Sequence, residues 1–345
     1  MAEGRGEKPP RMAHNAPAVR RLYFFEVFAL ANLALIALLA WHTLPILGSP
    51  LRHIVVFALS LMLEAFLGVA IRAVVALIRR DRTYLRVIRT RAWLLDSARL
   101  LLAGGVVITT YGWIKLVMPL IHPRLFDAEL WKLDQTLFFG MSPTVFLVDL
   151  FNSGPFLSII DRSYANIFFA SALVAFGYFL SDSSRRVRIA FANGNALLWI
   201  AGAWLYMLVP SLGPAFRFPE IWMTHADSLR ITQTMQALLM RNFQNVLRAG
   251  QGRAVTDPIR IVYGIGAFPS LHVGFQMYVF LWMRRLWTSG EVLFGIFVFA
   301  IFLGSMITGW HYLTDGLTGL ILAYICFRIF WKRARLDRFV ELRKQ

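Results

Sequence analysis

A histidine and an aspartate stand four positions apart in the sequence GWHYLTDG, residues 309 to 316, inside an otherwise apolar part of the chain. His311 and Asp315 lie at i and i+4, so a helix places both side chains on one face. The carboxylate can then accept a hydrogen bond from one ring nitrogen, which leaves the other nitrogen with its lone pair. This pair predicts an oriented nucleophile or general base.

A second polar cluster, FPSLH at residues 268 to 272, begins another apolar run. Proline suits the first turn of a helix, so its position predicts free backbone amides near Ser270 and His272. Helix starts attract phosphate. If the helix after His311 presents its first amides at the same place, together with Arg217, the cluster predicts a site for an anion with tetrahedral oxygens.

The elements that position these residues are apolar runs long enough to span a bilayer as helices. The 345 residues are 58% hydrophobic. The sequence predicts an all-α integral membrane protein with about eight transmembrane helices and no strands. The predicted spans are residues 22 to 47, 53 to 78, 95 to 121, 156 to 180, 189 to 212, 269 to 287, 291 to 310 and 312 to 331.

The positive charges follow the topology of these spans. The net charge is +17, and 22 of the 36 Lys and Arg residues fall in the segments that are cytoplasmic if the N-terminus is cytoplasmic. Every short loop then obeys the positive-inside rule. The basic clusters are explained as topology signals and contacts to anionic lipid headgroups, so no nucleic-acid partner is expected. We expect a multi-pass protein of the plasma (inner) membrane with cytoplasmic termini. Its polar clusters then share the extracytoplasmic, periplasmic or lumenal, side.

Two long loops are predicted on that same side. The segment 122 to 155 is expected to hold a short interfacial helix around residues 143 to 151. The segment 213 to 268 contains apolar residues at helical spacing from Leu229 to Leu247, beside arginines, which predicts an amphipathic helix on the membrane surface. Two histidines and one aspartate could ligate zinc, but no cysteine or HExxH-type spacing accompanies them, so neither a metal nor another cofactor is expected.

The motifs PSLH and HYLTD, whose histidines are 39 residues apart, resemble the second and third signature motifs of the type-2 phosphatidic acid phosphatase superfamily. Within it, FPSLH and GWHYLTD are most similar to the branch of inositol phosphorylceramide synthase. The resemblance implies a six-helix core from about residue 95 to 331, to which two N-terminal helices are added. It also implies that His311 forms a phosphohistidine, Asp315 orients it, His272 protonates the leaving oxygen and Ser270 helps to hold phosphate.

The chain departs from the family pattern where the phosphate clamp is expected. Pro210 occupies the position of a lysine, the sequence RFP replaces Arg-Pro, and Ser305 stands where the third motif has an arginine. Phosphoryl transfer needs preorganised positive charge, so other basic residues must supply it. The candidates are Arg217, Lys115, Arg162, Arg253 and Arg260.

The sequence therefore predicts a membrane-embedded phosphotransferase that acts on a phospholipid or polyprenyl-phosphate-type substrate and passes a phosphate-linked group to a lipid or alcohol. The first alternative is a lipid phosphate or diphosphate phosphatase that uses the same site with water. The second is a non-catalytic lipid-binding or transport protein. The predicted divisions are a disordered basic N-terminus (1 to 21), two helices with a basic loop (22 to 92), the catalytic core (93 to 331) and a basic tail (332 to 345).

Overall fold

Helices are the regular elements throughout the residues described by a computed structural model of the chain, which are 22 to 80, 82 to 287 and 290 to 336. The predicted N-terminal segment, residues 1 to 21, and residues 337 to 345 of the predicted tail lie outside that part. The α-helices in chain order are α1 Phe24–Leu39, α2 Leu44–Leu47, α3 Pro50–Ile78, α4 Arg82–Ile88, α5 Arg91–Ile121, α6 Asp127–Leu137, α7 Pro143–Leu150, α8 Gly154–Leu180, α9 Arg185–Leu208, α10 Pro214–Arg217, α11 Pro219–Met223, α12 Arg230–Gly250, α13 Leu271–Leu286, α14 Glu291–Ile307 and α15 Leu313–Arg333.

Each of the eight predicted spans coincides with one of these helices, although the first stops early, at Leu39. Within the described residues, four helical segments are long and apolar enough to cross a membrane: Pro45–Ile78, Arg91–Ile121, Gly154–Leu180 and Leu313–Arg333. Helices α1 and α14 are apolar but shorter. The other two, α9 and α13, carry more polar residues; α13 contains His272 and is only 16 residues long. The prediction of an all-helical membrane fold is confirmed.

Buried ion pairs attach the two N-terminal helices to the rest of the bundle. Arg99 on α5 binds Glu26 on α1 through Nε at 2.6 Å, and Arg72 on α3 binds Asp182 at 3.3 Å. Both carboxylates are buried or nearly so. Because removal of one partner leaves a buried charge unpaired, these contacts hold α1 and α3 in fixed positions.

Two glycines bring α13 and α15 together at the end of the bundle where both helices begin, which we call the site end. A Cβ atom at Gly319 would lie only 2.3 Å from the carbonyl oxygen of Ser270, and one at Gly274 would lie 3.1 Å from the carbonyl oxygen of Gly319. Small residues allow helix backbones to approach closely inside a membrane. This contact places the first turns of α13 and α15 side by side.

An aromatic cluster fixes the opposite end of the same helices. Phe179 on α8 stacks on Phe191 on α9 with ring centroids 4.2 Å apart, and Trp282 on α13 meets Trp331 on α15 at 5.3 Å. All four rings are at most 1% exposed. The cluster and the glycine contact together leave α13 and α15 little freedom to slide.

The two long loops hold helices that cover the site end. The expected helix near residues 143 to 151 is present as α7, but α6 in the same loop was not predicted. The predicted amphipathic helix is α12. Uncharged polar residues of α12 face the protein, and Gln236 among them donates to the carbonyl oxygen of Thr308 at 3.0 Å. Ile231 and Met235 stay exposed.

Candidate active site

Two histidines from separate helix starts face each other at the site end. The Nδ1 atom of His272 lies 3.4 Å from the Nε2 atom of His311. His272 is in the first turn of α13, and His311 lies two residues before α15. The contact of α13 with α15 at Gly274 and Gly319 therefore sets the distance between the two rings.

Backbone and carboxylate acceptors together orient His311. Its Nδ1 atom lies 2.9 Å from the carbonyl oxygen of Ala267 and 3.4 Å from Oδ2 of Asp315. Both are acceptors, so Nδ1 carries the proton and Nε2 keeps its lone pair. The sequence predicted the aspartate but not the carbonyl, which makes the shorter contact. His311 is 3% exposed, so its lone pair is held in one direction and away from bulk water.

Asp315 links the two helix starts. Its Oδ2 atom accepts a hydrogen bond from the backbone amide of Tyr312 at 2.9 Å, and its backbone oxygen accepts from the amide of Ser270, also at 2.9 Å. The side chain is fully buried, and Oδ1 has no hydrogen-bond partner among the described residues. Asp315 thus holds the segment of His311 against the start of α13.

Ser270 is the N-cap of α13 and is itself fully buried. Its Oγ atom accepts from the amide of Val273 at 3.4 Å. Pro269 was expected in the first turn of this helix, but α13 begins at Leu271, after the serine cap. Ser270 would hold its own helix start in place even without any ligand, because serine is a favoured N-cap residue.

The first amides of α15 are not free, contrary to the sequence prediction. The carboxylate of Asp134 on α6 accepts from the amide of Leu313 at 2.6 Å and from that of Thr314 at 2.9 Å. Asp134 is 1% exposed. Burial raises the pKa of its carboxyl group, and the hydrogen bonds from the two amides lower it by less. An anion at this helix start would have to displace a carboxylate.

Asp127, the first residue of the same loop helix, makes a second buried connection. Its carboxylate accepts from the amides of Leu212 and Gly213 and from the hydroxyl of Tyr312, at 2.9 to 3.1 Å. Burial again raises the pKa of this carboxyl group. The sequence analysis missed both aspartates. Their spacing of seven residues, which places them on one face of a helix, was the available signal.

A small cavity of about 20 Å³ adjoins the two histidines. A water molecule needs roughly 10–15 Å³ measured in this way, so the cavity has room for about one. Lys115 on α5 and Tyr206 on α9 line it together with His272 and His311. The hydroxyl of Tyr206 is buried and has no hydrogen-bond partner among the described residues. Lys115 and Tyr206 are therefore two polar residues placed to meet a ligand beside the histidines, and Tyr111 lines the same cavity.

The four candidate arginines lie elsewhere. Arg162, Arg217, Arg253 and Arg260 are exposed and do not line this cavity. The guanidinium of Arg217 stacks over the ring of Phe218 at 5.3 Å. Of the five basic residues proposed from the sequence, the structure brings Lys115 to the histidines. The described residues contain no group of three or more His, Cys, Asp or Glu side chains placed to hold a metal ion.

A sequence model described as the PAP2 superfamily matches residues 128 to 329, more than half of the chain. The chain belongs to the PAP2 superfamily. Comparisons with curated proteins and with solved structures gave no match. The matched residues include α7 to α14, most of α6 and α15, and therefore His272, His311 and Asp315.

Membership of the PAP2 superfamily indicates the class of reaction. PAP2 proteins carry out phosphatase- or phosphotransferase-type reactions on phosphorylated lipids, and they act in a bilayer. The buried histidine pair is consistent with such chemistry. Lys115 and Asp127, by contrast, precede the matched residues, so part of the surroundings of the site comes from outside the family region.

Proposed function

We propose that this protein is a lipid phosphotransferase that carries a phosphate-linked group from a phospholipid or polyprenyl-phosphate-type donor to a lipid or alcohol acceptor through a phosphohistidine. The observation that carries the proposal is the position of His311. Its Nδ1 is held by two acceptors, and its Nε2 points toward His272 beside a small buried cavity. An oriented imidazole with one unprotonated ring nitrogen is the arrangement of a nucleophile.

The reaction then has two balanced steps. In the first, Nε2 of His311 forms a bond to phosphorus as the bond from phosphorus to the leaving oxygen breaks, and protonated His272 gives that oxygen a proton. In the second, the hydroxyl of the acceptor attacks phosphorus, its proton passes to His272, and the bond from phosphorus to nitrogen breaks. Asp315 holds His311 in place and stabilises positive charge on its ring.

Lys115 and Tyr206 are proposed to take the place of the missing phosphate clamp. Both line the cavity beside the histidines, and phosphate oxygens are good acceptors for an ammonium group and a phenol hydroxyl. Ser270 and the arginines at positions 162, 217, 253 and 260 stay candidates for phosphate contact. Each needs a rearrangement, because Ser270 caps a helix and the arginines are exposed.

Shielding from bulk water favours transfer over hydrolysis. Helix α6 covers the start of α15 through Asp134, and α12 covers the end of α14 through Gln236. Loops that close over a site protect a reactive intermediate from water. The motifs FPSLH and GWHYLTD, which resemble those of the inositol phosphorylceramide synthase branch, also favour transfer over hydrolysis.

A phosphatase is the second candidate, since the cavity beside the histidines has room for about one water molecule. The deciding experiment supplies the purified protein with a phospholipid labelled in its phosphate, with and without lipid alcohols. We expect the label to move to an alcohol when the right acceptor is present. Label released only as free phosphate or a free phosphorylated headgroup, with every acceptor, contradicts the transferase and favours the phosphatase.

Substitutions test the nucleophile itself. His311→Ala and Asp315→Asn are expected to lower turnover by roughly 10²-fold or more, because the pair acts as a unit. His42→Ala replaces an exposed histidine outside the site and serves as the control. Acid-labile label bound to wild-type protein but not to His311→Ala is the expected sign of the phosphohistidine. Normal turnover by the folded His311→Ala variant contradicts the covalent mechanism.

A further inference from the structure

A second and much larger cavity, of about 400 Å³, lies deeper among the helices. Its walls come from α1, α3, α5, α8, α9 and α13, and nearly all of its lining side chains are aliphatic or aromatic. Cavities lined in this way stay dry and bind apolar molecules. A volume of this size falls within the usual range for small-molecule pockets.

Aromatic residues separate this cavity from the histidines. Tyr111 and Trp199 line both cavities, and their rings meet edge to face with centroids 4.9 Å apart. Phe168 lines the large cavity and contacts the ring of His272 at 4.6 Å. A molecule in the large cavity therefore reaches the layer of residues directly beneath the reacting groups.

The cavity is long in the direction of the helices. Along α5 its lining runs from Tyr111 to Leu100, which is about 16 Å at a rise of 1.5 Å per residue. Phe169, which is 70% exposed, also lines it, so the cavity reaches the outer surface of the bundle on α8. Further along, α3 and α8 close together, because a Cβ atom at Gly68 would lie 2.0 Å from the oxygen of Gly177.

We propose that this cavity binds one long hydrocarbon chain of the lipid that reacts at His311, which rests on the function proposed above. Its length, its apolar walls and the two aromatic residues that it shares with the small cavity fit a single chain whose phosphate-bearing end lies beside His272 and His311. A sugar or nucleotide would leave its polar groups unpaired there. The lining residues of α1, α3 and α5 precede the PAP2 match, whereas those of α8, α9 and α13 lie inside it, so one side of the pocket comes from outside the matched region.

Glu64 is the charged residue among the described residues that line the cavity. It lines the cavity from α3, and its Oε2 atom is buried with no hydrogen-bond partner among the described residues. An ionisable residue at membrane depth is expensive to keep unless it has a partner or a function. Glu64 lies one turn after Leu61, which packs beside Gly104 of α5. It can therefore meet a hydroxyl group near the middle of the bound chain.

Photochemical cross-linking tests where the chain lies. Purified protein receives phosphatidic acid with a diazirine at the end of one palmitoyl chain, is irradiated, and is mapped by mass spectrometry. We expect labelled peptides around Leu100, at the end of the cavity far from the histidines, in the wild type and in His311→Ala alike. Labelling confined to exposed, lipid-facing residues overturns the proposal. Labelling of the cavity without any turnover supports the pocket and counts against the proposed function instead.

Substitution of the walls tests the same pocket by kinetics. Ile108→Trp and Ala172→Phe each fill the cavity, whereas Leu102→Trp, on the exposed face of α5, is the matched control. We measure the ratio of kcat/KM for dipalmitoyl to that for dibutyryl phosphatidic acid. The filling variants are expected to lower this ratio about tenfold, and Leu102→Trp to leave it unchanged. An unchanged ratio in both folded filling variants overturns the proposal.

A competition between two acyl chains tests the proposed contact of Glu64 separately. Competition between ricinoleoyl chains, which carry a mid-chain hydroxyl, and oleoyl chains is expected to favour the hydroxylated chain several-fold in the wild type. Glu64→Leu should remove the preference while keeping the apolar pocket. Equal binding of the two chains by the wild type overturns the assigned role of Glu64.

Discussion

Asp134 is expected to be needed for both the stability and the activity of the protein. Its carboxylate is the acceptor for two amides in the first turn of α15, at 2.6 and 2.9 Å, in a place that is 1% exposed. Asp134→Ala leaves both amides without a partner, and each buried orphan costs about 1–3 kcal/mol. We expect a loss of about 2–6 kcal/mol for the two amides together. Asp134→Asn keeps one acceptor oxygen and should cost about half as much.

Asp134→Ala is also expected to lower turnover. Leu313 and Thr314, whose amides Asp134 holds, lie between His311 and Asp315 in the chain. A shift of about 1 Å in a reacting group can cost roughly 10²-fold in rate. Turnover of a labelled phospholipid should therefore fall in the order wild type, Asp134→Asn, Asp134→Ala, and the thermal unfolding temperature should fall in the same order.

A matched control separates this cap from a general effect of charge on α6. Glu129 lies on the same helix, but its side chain is 50% exposed and pairs with Arg124 at the surface. Exposed ion pairs contribute about 0–1 kcal/mol, so Glu129→Ala should change little. The reasoning is refuted if Asp134→Ala matches the wild type in both measurements, or if Glu129→Ala is equally damaging.

Three further outcomes follow from the site. His272→Ala should lower turnover of alkyl phosphates far more than that of activated aryl phosphates, because a good leaving group needs no acid; an equal loss contradicts the role of His272. Tyr206→Phe removes an unpartnered hydroxyl without changing the ring, and is expected to raise KM several-fold with unfolding unchanged; an unchanged KM excludes a phosphate contact. In a Cys326→Ala background, a cysteine at position 253 should react with an impermeant reagent from outside and one at position 86 should not, and the reverse pattern overturns the predicted orientation.

The helices of the bundle could be predicted because membrane depth leaves a long apolar run little choice of structure. Each of the eight predicted spans coincides with a helix, and the motifs at His272 and His311 could be assigned to helix starts. Helix ends were less predictable, since local caps decide them. The sequence analysis placed Pro269 inside the helix. In the structure the segment stays extended up to the N-cap Ser270, and α13 begins one residue later.

The surroundings of the histidines could not be predicted, because they depend on contacts between distant segments. Asp134 is 179 residues from the amide of Leu313 that it binds, and Ala267 contacts His311 through a backbone oxygen, which any residue type provides. Helix α6 has no long apolar run to reveal it. Lys115 also differs from the four candidate arginines in its exposure to solvent. The sequence could not show this difference, because exposure depends on how α5 packs against α9.

The boundary of the family match suggests how chemistry and specificity are divided in this chain. The histidine pair and Asp315 lie inside the match, and the same constellation could act on any phosphate ester that reaches it. Lys115, Tyr111 and the apolar walls on α3 and α5 lie before residue 128. Because these segments form part of the cavity walls that would meet what accompanies the phosphate, substrate choice should depend on α3 and α5 as well as on the matched helices. Substitutions of the apolar wall residues of α3 and α5 should change which lipid reacts before they change how fast the phosphoryl group moves.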